Sequence, residues 1–387
     1  MLGFLAILGV VSLWVHGRTV RRWSRAWRFA QSIEATMASE ELNNQSQHWG
    51  VVIPARNEAN NLSALLDDLW QQLKQSNVKV VVVDDHSDDG TAQIAVRHAM
   101  AKSGRLTLLS NEGHGKKSAL LTAIRQIDAR WVVTLDADVR LGHGWEAAWS
   151  NALHAANADV AAIAGPVILA KDRAALGLWE GVQALDYAAQ LGWSAGCLAS
   201  GNPGSASGAN MAVRCETYPD TRAMGASGDD TLVVQVLQQQ GSTVRWLASM
   251  DAAVQTQGAI SMKEWIAQRL RWAGKSHHYP WHAKKTAWWM AWMATMQWAM
   301  VAGATVLGNW QGWALTGMVW ASVVGMNVWY AEPIAAWFEL RVSLKHWLTL
   351  GFGQPFQVPI LVLSRLGVFE LCGIPSQPEW KGRTCAT

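Results

Sequence analysis

Charged residues are scarce in this chain of 387 residues, since Asp, Glu, Lys and Arg together make up only 16%. Half of the residues are hydrophobic and 25 are Trp, a composition poorly suited to a surface that lies wholly in water. The net charge of +3 is small and no long basic tract is present, which argues against a nucleic-acid partner. The composition favours a protein that contacts a membrane.

Cysteine is also rare. The four cysteines show no CxxC spacing and lie far from histidines that could complete a metal site: Cys197, Cys215, Cys372 and Cys385. This pattern argues against a zinc site and against a disulfide framework, and it fits a reducing compartment.

The N-terminal segment lacks the order of a secretory signal, in which positive charge precedes the apolar run. Leu2–Val15 is almost wholly apolar, and five arginines follow it between residues 18 and 28. We expect a membrane anchor at 1–20 and a basic juxtamembrane linker at 21–46. Because Lys and Arg stay on the cytoplasmic side of membrane segments, the chain after the anchor should enter the cytoplasm. The apolar run is short for a span, which needs about 20 residues, so an interfacial anchor stays open.

Residues 47–280 alternate between short apolar runs and helical patterns. The predicted strands are Val51–Ile53, Val78–Val83, Leu106–Leu109, Trp131–Leu135 and Val160–Gly165. The predicted helices between them are Asn61–Gln75, Thr91–Ala101, Lys117–Ile127 and Trp145–Ala155. Continuous apolar strands separated by helices indicate a mostly parallel sheet covered on both faces, whose ligands bind beyond the carboxyl ends of the strands.

The C-terminal part is different in character. Ala287–Leu307 and Trp310–Tyr330 are each long and apolar enough to span, with a tight turn at Gly308-Asn309, and they predict a transmembrane hairpin over 286–331.

Three shorter segments follow this hairpin. Residues 332–347 are amphipathic and are expected to lie in the membrane interface. Residues 348–371 contain polar and proline residues that are costly in lipid, so they form either a broken span packed against protein or a re-entrant segment. Residues 372–387 form a tail.

Carboxylates cluster where predicted strands end. Asp84 and Asp85 follow the second strand and can accept hydrogen bonds from a base and from ribose hydroxyls. Asp136 and Asp138 follow the fourth strand, and neighbouring carboxylates there suit a divalent cation bound to phosphate oxygens. The plainer alternatives are an N-cap cluster after the second strand and an ordinary acidic turn after the fourth.

Three loops carry further candidates. Gly113–Lys117 precedes a helix, so its backbone amides and Lys116 are placed to meet a diphosphate, although a solvated turn has the same composition. Gly201–Asn210 is rich in glycine and serine and permits close backbone approach, or is simply flexible. Asp229 and Asp230 precede a predicted helix, so either is an N-cap or a catalytic base.

A final motif, Gln268-Arg269-Leu270-Arg271-Trp272, lies just before the predicted hairpin. On a helix Gln268, Arg271 and Trp272 share one face. An aromatic and basic belt at the bilayer would explain Trp272 well and Gln268 poorly.

In this order, the motifs resemble those of the family 2 glycosyltransferases, particularly the membrane-integrated branch with the D, D, D, QxxRW signature. The resemblance covers Val51 to Lys275 and implies an α/β GT-A fold, a Rossmann-like mixed sheet, with an N-terminal membrane anchor and C-terminal transmembrane helices. The residues that it implies for binding the donor nucleotide are Pro54, Arg56, Glu58, Asp84, Asp85, Lys116 and Asp136.

The same resemblance assigns the remaining roles. Asp138, with Asp136, would hold a divalent cation, Mn²⁺ or Mg²⁺. Asp230 would be the catalytic base, with Asp229 where the family has a glutamate. The rim facing the diphosphate and the acceptor would be formed by Asn210, Gln268, Arg271 and Trp272. Attack opposite the leaving group would invert the anomeric centre.

The sequence therefore predicts an inverting glycosyltransferase, a multi-pass protein of the cytoplasmic membrane. It would move a sugar from a nucleotide-diphosphate donor, by preference a UDP-sugar, to a lipid or lipid-linked acceptor. The main alternative is a processive polysaccharide synthase subunit, for which a homo-oligomer could supply a channel. A nucleotidyltransferase is disfavoured because Pro54–Glu58 is not a glycine-rich loop, and a nucleotide-sugar-binding non-enzyme is disfavoured by the presence of Asp138 and Asp230.

Overall fold

The computed structural model describes residues 1–37, 48–224, 228–274, 281–366, 368, 379–380 and 383–384. The α-helices are α1 (Leu2–Met37), α2 (Leu62–Gln72), α3 (Thr91–Arg97), α4 (Ala99–Lys102), α5 (Lys116–Gln126), α6 (Trp145–His154), α7 (Leu178–Ala199), α8 (Thr231–Gln239), α9 (Met262–Gly274), α10 (Trp281–Leu307), α11 (Trp310–Trp337) and α12 (Leu344–Arg365). The strands are β1 (Trp49–Ala55), β2 (Lys79–Asp84), β3 (Leu106–Ser110), β4 (Trp131–Leu135), β5 (Arg140–Leu141), β6 (Val160–Ala164), β7 (Val167–Leu169), β8 (Asn210–Arg214), β9 (Thr243–Trp246), β10 (Val254–Thr256), β11 (Glu379–Trp380) and β12 (Arg383–Thr384). Short 3₁₀ helices are formed by Leu73–Gln75, Cys215–Thr217 and Arg222–Met224. Three predicted parts lie partly outside these residues: the linker over 38–46, the catalytic domain over 275–280, and most of the tail.

A seven-stranded mixed sheet is the centre of the α/β domain, with strand order β3-β2-β1-β4-β8-β6-β9. Strands β1 to β4 are parallel where they pair, and β8 runs antiparallel between β4 and β6. Val51, Val52 and Ile53 of β1 are all 0% exposed, because helices cover both faces of the sheet. The carboxyl ends of β1, β2 and β4 therefore meet at one edge, as the sequence predicts.

One predicted helix is divided in two. His98 has an extended backbone (ψ 147°), and its ring nitrogen accepts a hydrogen bond from the amide of Met100. This cap ends α3 at Arg97 and starts α4 at Ala99, so the single helix predicted over Thr91–Ala101 is wrong.

Helix α1 joins the predicted anchor to the α/β domain without a break, because it runs through residue 20 and the first part of the predicted linker. Its second half packs closely on α7, where a Cβ on Gly196 would lie 2.7 Å from that of Ala26. Trp27 is 1% exposed and meets Trp337 of α11 edge-on, with ring centroids 5.5 Å apart. The helix is thus part of the core of the protein as well as a candidate membrane segment.

Helices α10 and α11 form the predicted hairpin. Gly308 adopts a left-handed conformation (φ 64°) in the turn, and the Asn309 side chain accepts a hydrogen bond from Gly312 N at 3.0 Å, which caps α11. By length and composition, two segments of the described chain are apolar enough to cross a membrane, Leu2–Ser32 and Lys284–Leu307.

The segment after this hairpin differs from the prediction of an interfacial stretch over 332–347. Phe338 and Leu340 are 1% and 7% exposed and belong to the core of the α/β domain. Glu339 pairs with Arg173 of that domain at 2.8 Å. The apolar side chains therefore pack on protein, which removes the driving force to lie in a bilayer interface.

Residues 348–365 of the last predicted membrane segment lie in one helix, α12, that contains Pro355 and Pro359. Pro359 has no amide proton to donate to the carbonyl of Pro355 one turn earlier. The indole of Trp298 on α10 donates to that carbonyl instead, at 3.2 Å. The packing against α10 thus satisfies the backbone group that the proline leaves unpaired.

Candidate active site

A cavity of about 1620 Å³ opens beyond the carboxyl ends of β1 and β4 and continues between α1, α10, α11 and α12. Eleven of the fourteen predicted site residues line it: Pro54, Arg56, Glu58, Lys116, Asp136, Asp138, Asp229, Asp230, Gln268, Arg271 and Trp272. Its polar end lies at the strand ends and its other end is walled largely by apolar side chains of the long helices. One space therefore connects the predicted donor residues to the candidate membrane helices.

Lys116 is at the centre of the polar end. Its Nζ lies 2.6 Å from Oδ1 of Asp136 and 2.7 Å from Oδ2 of Asp229, and the side chain is only 15% exposed. Burial alone would lower the pKa of Lys116, but the two carboxylates offset burial and hold this pKa above its usual value. The ammonium is therefore charged at every physiological pH and joins the ends of β4 and α8.

The loop before Lys116 is held by Asp85. This carboxylate is 1% exposed, accepts hydrogen bonds from Gly115 N at 3.0 and 3.1 Å, and accepts another from Asn111 Nδ2 at 2.7 Å. Gly115 has a φ of 85°, which favours glycine at this position. The Asp85 carboxylate thus holds this loop in place, and its predicted contact with the donor stays a prediction.

Asp84 and Asn210 do not line the cavity. Asp84 accepts a hydrogen bond from Ser87 N at 3.2 Å and so shapes the turn after β2. Asn210 is 0% exposed: its Oδ1 accepts from the indoles of Trp145 and Trp149, and its Nδ2 donates to two backbone carbonyls at 2.8 Å. The prediction of a rim role for Asn210 is wrong, because its hydrogen-bonding groups are used inside the core.

Asp229 and Asp230 have different surroundings. Asp229 pairs with Lys116, whereas Asp230 is the N-cap of α8 and accepts a hydrogen bond from Thr231 N. Gly208 makes room for the pair, since a Cβ there would lie 2.5 Å from Oδ2 of Asp229 and 2.9 Å from Nζ of Lys116. The glycine-rich loop thus approaches the charged pair itself.

Asp136 and Asp138 supply the oxygen ligands that Mn²⁺ and Mg²⁺ prefer. Asp138 is exposed in the cavity, with its Oδ2 3.3 Å from Thr256 Oγ1. Lys116 contacts Oδ1 of Asp136, so a bound cation would share this carboxylate with the lysine. The donor set fits a hard divalent cation held together with phosphate oxygens.

A second group that could hold a metal ion is formed by the turn after β2 and the loop before α5. Ligand atoms of Asp85, His86 and His114 lie within 4.8 Å of one another. Two imidazoles and one carboxylate suit zinc-like ions more than Mg²⁺. This group is separate from Asp136 and Asp138.

Helix α9 presents the predicted face to the cavity through Gln268, Arg271 and Trp272. The ring of Trp272 lies 5.8 Å from that of Tyr187 on α7. Arg269 also lines the cavity, where it forms a buried ion pair with Asp186 of α7 and its guanidinium lies 4.8 Å from the ring of Trp272. This ion pair therefore joins α9 to α7 at the wall of the cavity.

Two family profiles match this chain. Glycosyl transferase family 2 matches residues 50–174, and Glycosyl transferase family group 2 matches residues 131–350, which is more than half of the chain. The chain belongs to the family 2 glycosyltransferases. The sequence-based resemblance is thereby confirmed.

Relatives of this glycosyltransferase match it over shorter stretches. The undecaprenyl-phosphate 4-deoxy-4-formamido-L-arabinose transferase of Photorhabdus laumondii is 32% identical over 107 residues, 27% of this chain and 32% of that protein. The succinoglycan biosynthesis protein ExoA of Rhizobium meliloti is 34% identical over 103 residues, 26% of this chain and 30% of that protein. The match thus spans about a third of the length of these curated relatives.

A solved structure is similar over nearly the whole chain. The mannosyltransferase PcManGT from Pyrobaculum calidifontis, in complex with GDP-Man and Mn²⁺, superposes with a TM-score of 0.56 at 18% identity, covering 92% of this chain and 99% of that one. The likeness confirms the predicted GT-A fold.

Helix α7 of the glycosyltransferase lines part of the cavity, although the predicted motifs do not include it. Tyr187 and Gln190 line the cavity from this helix, and Thr256 and Gln257 line it at the end of β10. The available signal was the spacing of Asp186 and Gln190, one turn apart in a largely apolar helix where polar groups need partners. Gln190 donates to Asp186 at 2.9 Å.

Substitution of Arg269 by Met is expected to lower the free energy of unfolding by about 3–5 kcal/mol, because it leaves the buried Asp186 carboxylate without its cation. Thermal or denaturant unfolding in detergent would measure the change. The double variant Arg269→Met with Asp186→Leu should recover most of the loss, since neither charge is then buried alone. Equal instability of the single and double variants would show that the ion pair is not the cause.

Proposed function

We propose that this family 2 glycosyltransferase moves a sugar from a nucleotide-diphosphate sugar to a lipid or lipid-linked acceptor at the cytoplasmic face of a membrane. The continuous cavity carries the proposal. Its polar end holds Lys116, Asp136, Asp138 and Asp230, and its other end lies between helices of which two contain candidate membrane spans. A relative named as an undecaprenyl-phosphate transferase supports the lipid side.

The charged residues of the cavity support the binding of a nucleotide-diphosphate donor. Lys116 and Arg271 line the cavity, and both would offset the negative charge that develops on the departing nucleotide diphosphate. Arg56 and Glu58, after β1, line the polar end of the cavity and would contact the nucleoside. Asp138 and Asp136 would hold a divalent cation, which when bound neutralises phosphate charge and favours departure of the leaving group.

The acceptor side needs a base. Asp230 lines the cavity at the start of α8, so its carboxylate can take the proton of an acceptor hydroxyl as that oxygen attacks the anomeric carbon. Attack from the face opposite the diphosphate inverts the anomeric centre. A single base suffices for this displacement.

The test is to incubate the full-length protein in detergent with Mn²⁺ and a panel of UDP- and GDP-sugars, measuring nucleotide diphosphate release with and without a total lipid extract. Lipid-dependent release that yields a lipid with one added sugar is the expected result. A product carrying a ladder of sugars would favour the polysaccharide synthase instead. No release with any donor, with or without lipid, would overturn the enzyme proposal.

Replacement of Asp138 by Asn is expected to raise the Mn²⁺ concentration that gives half-maximal activity by at least about tenfold, because a neutral amide is a poorer ligand for a hard cation. The measurement is a Mn²⁺ titration of diphosphate release after removal of metal by EDTA. Asp220→Asn is the matched control, since Asp220 pairs with Arg222 on an exposed surface. An unchanged Mn²⁺ dependence in Asp138→Asn would exclude this residue as a ligand.

A further inference from the structure

Three polar side chains from three helices meet in the apolar part of the cavity. His16 of α1, Asn327 of α11 and Gln354 of α12 all line it. Nε2 of His16 lies 2.8 Å from Oδ1 of Asn327, and Nδ2 of Asn327 donates to Oε1 of Gln354 at 2.8 Å. We call these three residues the polar network.

The direction of the hydrogen bonds determines what the polar network offers to a ligand. Oδ1 of Asn327 can only accept, so Nε2 of His16 donates, and Nδ1 of a neutral imidazole is then an acceptor. Nδ1 of His16 is buried and has no hydrogen-bond partner among the described residues. Gln354 uses its Oε1 to accept from Asn327, which leaves its Nε2 as the donor end. The network thus presents an acceptor at one end and a donor at the other.

Such a network is costly unless something binds to it. His16 is 5% exposed, and its ring stacks on that of Trp289 with centroids 6.1 Å apart and planes at 17°. The surrounding wall is apolar, with Met293, Val323 and Leu361 among the lining residues. Polar groups at a membrane helix interface can simply join helices. That role accounts for both bonds of Asn327 but leaves Nδ1 of His16 unexplained.

The chemistry of the network selects among lipids. A hydroxyl group donates one hydrogen bond and accepts others, so one hydroxyl can donate to His16 and accept from Gln354. A phosphate monoester has no comparable match, because it is an anion that prefers Arg and Lys. The cavity does contain basic residues that suit a phosphate, among them Arg271 on α9 and Lys284 in the first turn of α10. The three residues of the polar network, by contrast, are uncharged when His16 is neutral.

We propose that the polar network binds a hydroxyl of the acceptor, and that the acceptor is a neutral hydroxylated lipid rather than a lipid phosphate. The inference rests on the proposed function and specifies its acceptor. His16 and Gln354 are positioning residues that orient the lipid in the cavity that Asp230 also lines. A hydroxyl acceptor agrees with a site that supplies a base, since an ionised phosphate would not need one.

The first test separates the lipid extract by anion exchange into neutral and acidic fractions and assays each with the active donor. The neutral fraction should support sugar transfer, and the acidic fraction should not. Transfer to the acidic fraction alone would overturn this inference and leave the proposed function intact. Absence of transfer to either fraction would count against both.

The second test uses variants. His16→Leu and Gln354→Met should each raise KM for the neutral acceptor by about 5- to 30-fold, the effect of losing one hydrogen bond, with less effect on KM for the donor. His16→Gln, which keeps an acceptor, should restore part of the affinity. Ser12→Ala is the control, because Ser12 is buried on α1 one turn earlier and does not line the cavity. Lower thermal stability with an unchanged acceptor KM in both variants would show that the network only joins helices.

Discussion

Replacement of Asp230 by Asn is expected to lower kcat by about 10²- to 10⁴-fold, the usual contribution of a positioned general base. Asp230 lines the cavity and begins α8 by accepting a hydrogen bond from Thr231 N. Asn is as good an N-cap as Asp, so α8 keeps its start and the loss is chemical. The measurement is nucleotide diphosphate release at saturating donor and lipid.

Two comparisons make this result specific. Asp220→Asn, at the exposed pair with Arg222, should keep parental kcat. Asp229→Asn should lower kcat less than Asp230→Asn does, because the Asp229 carboxylate is paired with Lys116. A larger loss in Asp229→Asn would move the base to that residue, and a kcat within about threefold of the parent in Asp230→Asn would exclude Asp230.

Replacement of Lys116 by Met is expected to raise the donor KM by about 10- to 100-fold, the effect of losing a charge-assisted hydrogen bond to phosphate. It should also lower the free energy of unfolding by about 3 kcal/mol, because Asp229 then keeps a buried charge without a partner. Asp136 adds less, since it is 38% exposed and solvent screens its charge. Donor kinetics and denaturant unfolding measure the two effects separately.

A second substitution separates these effects. Lys116→Met with Asp229→Asn should recover stability but not donor affinity, because the buried charge is gone while the phosphate contact is still missing. If the double variant regained donor affinity, Lys116 would not be a donor ligand.

The pH dependence of stability provides an independent measurement on Lys116. The pKa of Lys116 is raised by folding, so its contribution to stability is fully present below the ordinary lysine value of 10.5 and is lost as pH rises from there through the raised pKa. The stability difference between the parent and Lys116→Met should therefore stay constant through neutral pH and shrink only in strongly alkaline solution. A difference that shrinks near neutral pH would contradict the raised pKa.

The sequence predicts which residues gather at the edge of the sheet, because parallel strands place their carboxyl ends there. The position of a polar residue directly after an apolar run, such as Asp136 after β4, can therefore be predicted together with its chemical role. Side-chain direction is predicted less well. Asp85 follows β2 as expected, yet it turns to the amide of Gly115, and Asn210 turns to two tryptophans more than sixty residues earlier in the chain. The direction of such a side chain depends on tertiary packing, which the local sequence pattern does not reveal.

The polar network is less predictable for the same reason. His16 and Asn327 are separated by 311 residues and lie in two different long helices. Neither belongs to a motif, and only the packing of α1 against α11 brings them together.

Helix α1 has a consequence for how the enzyme meets a bilayer. Its 36 residues form one rod of about 54 Å, and the same rod carries the candidate span, the His16 side chain and the contact with α7. The number of residues in α1 therefore fixes the height and the rotation, relative to a membrane, of the sheet edge that carries the site. One residue inserted between His16 and Ala26 would raise the edge by about 1.5 Å and rotate it by about 100°. Under the proposed function, this fixed distance would limit sugar transfer to acceptors whose reactive group lies at the corresponding depth in the membrane.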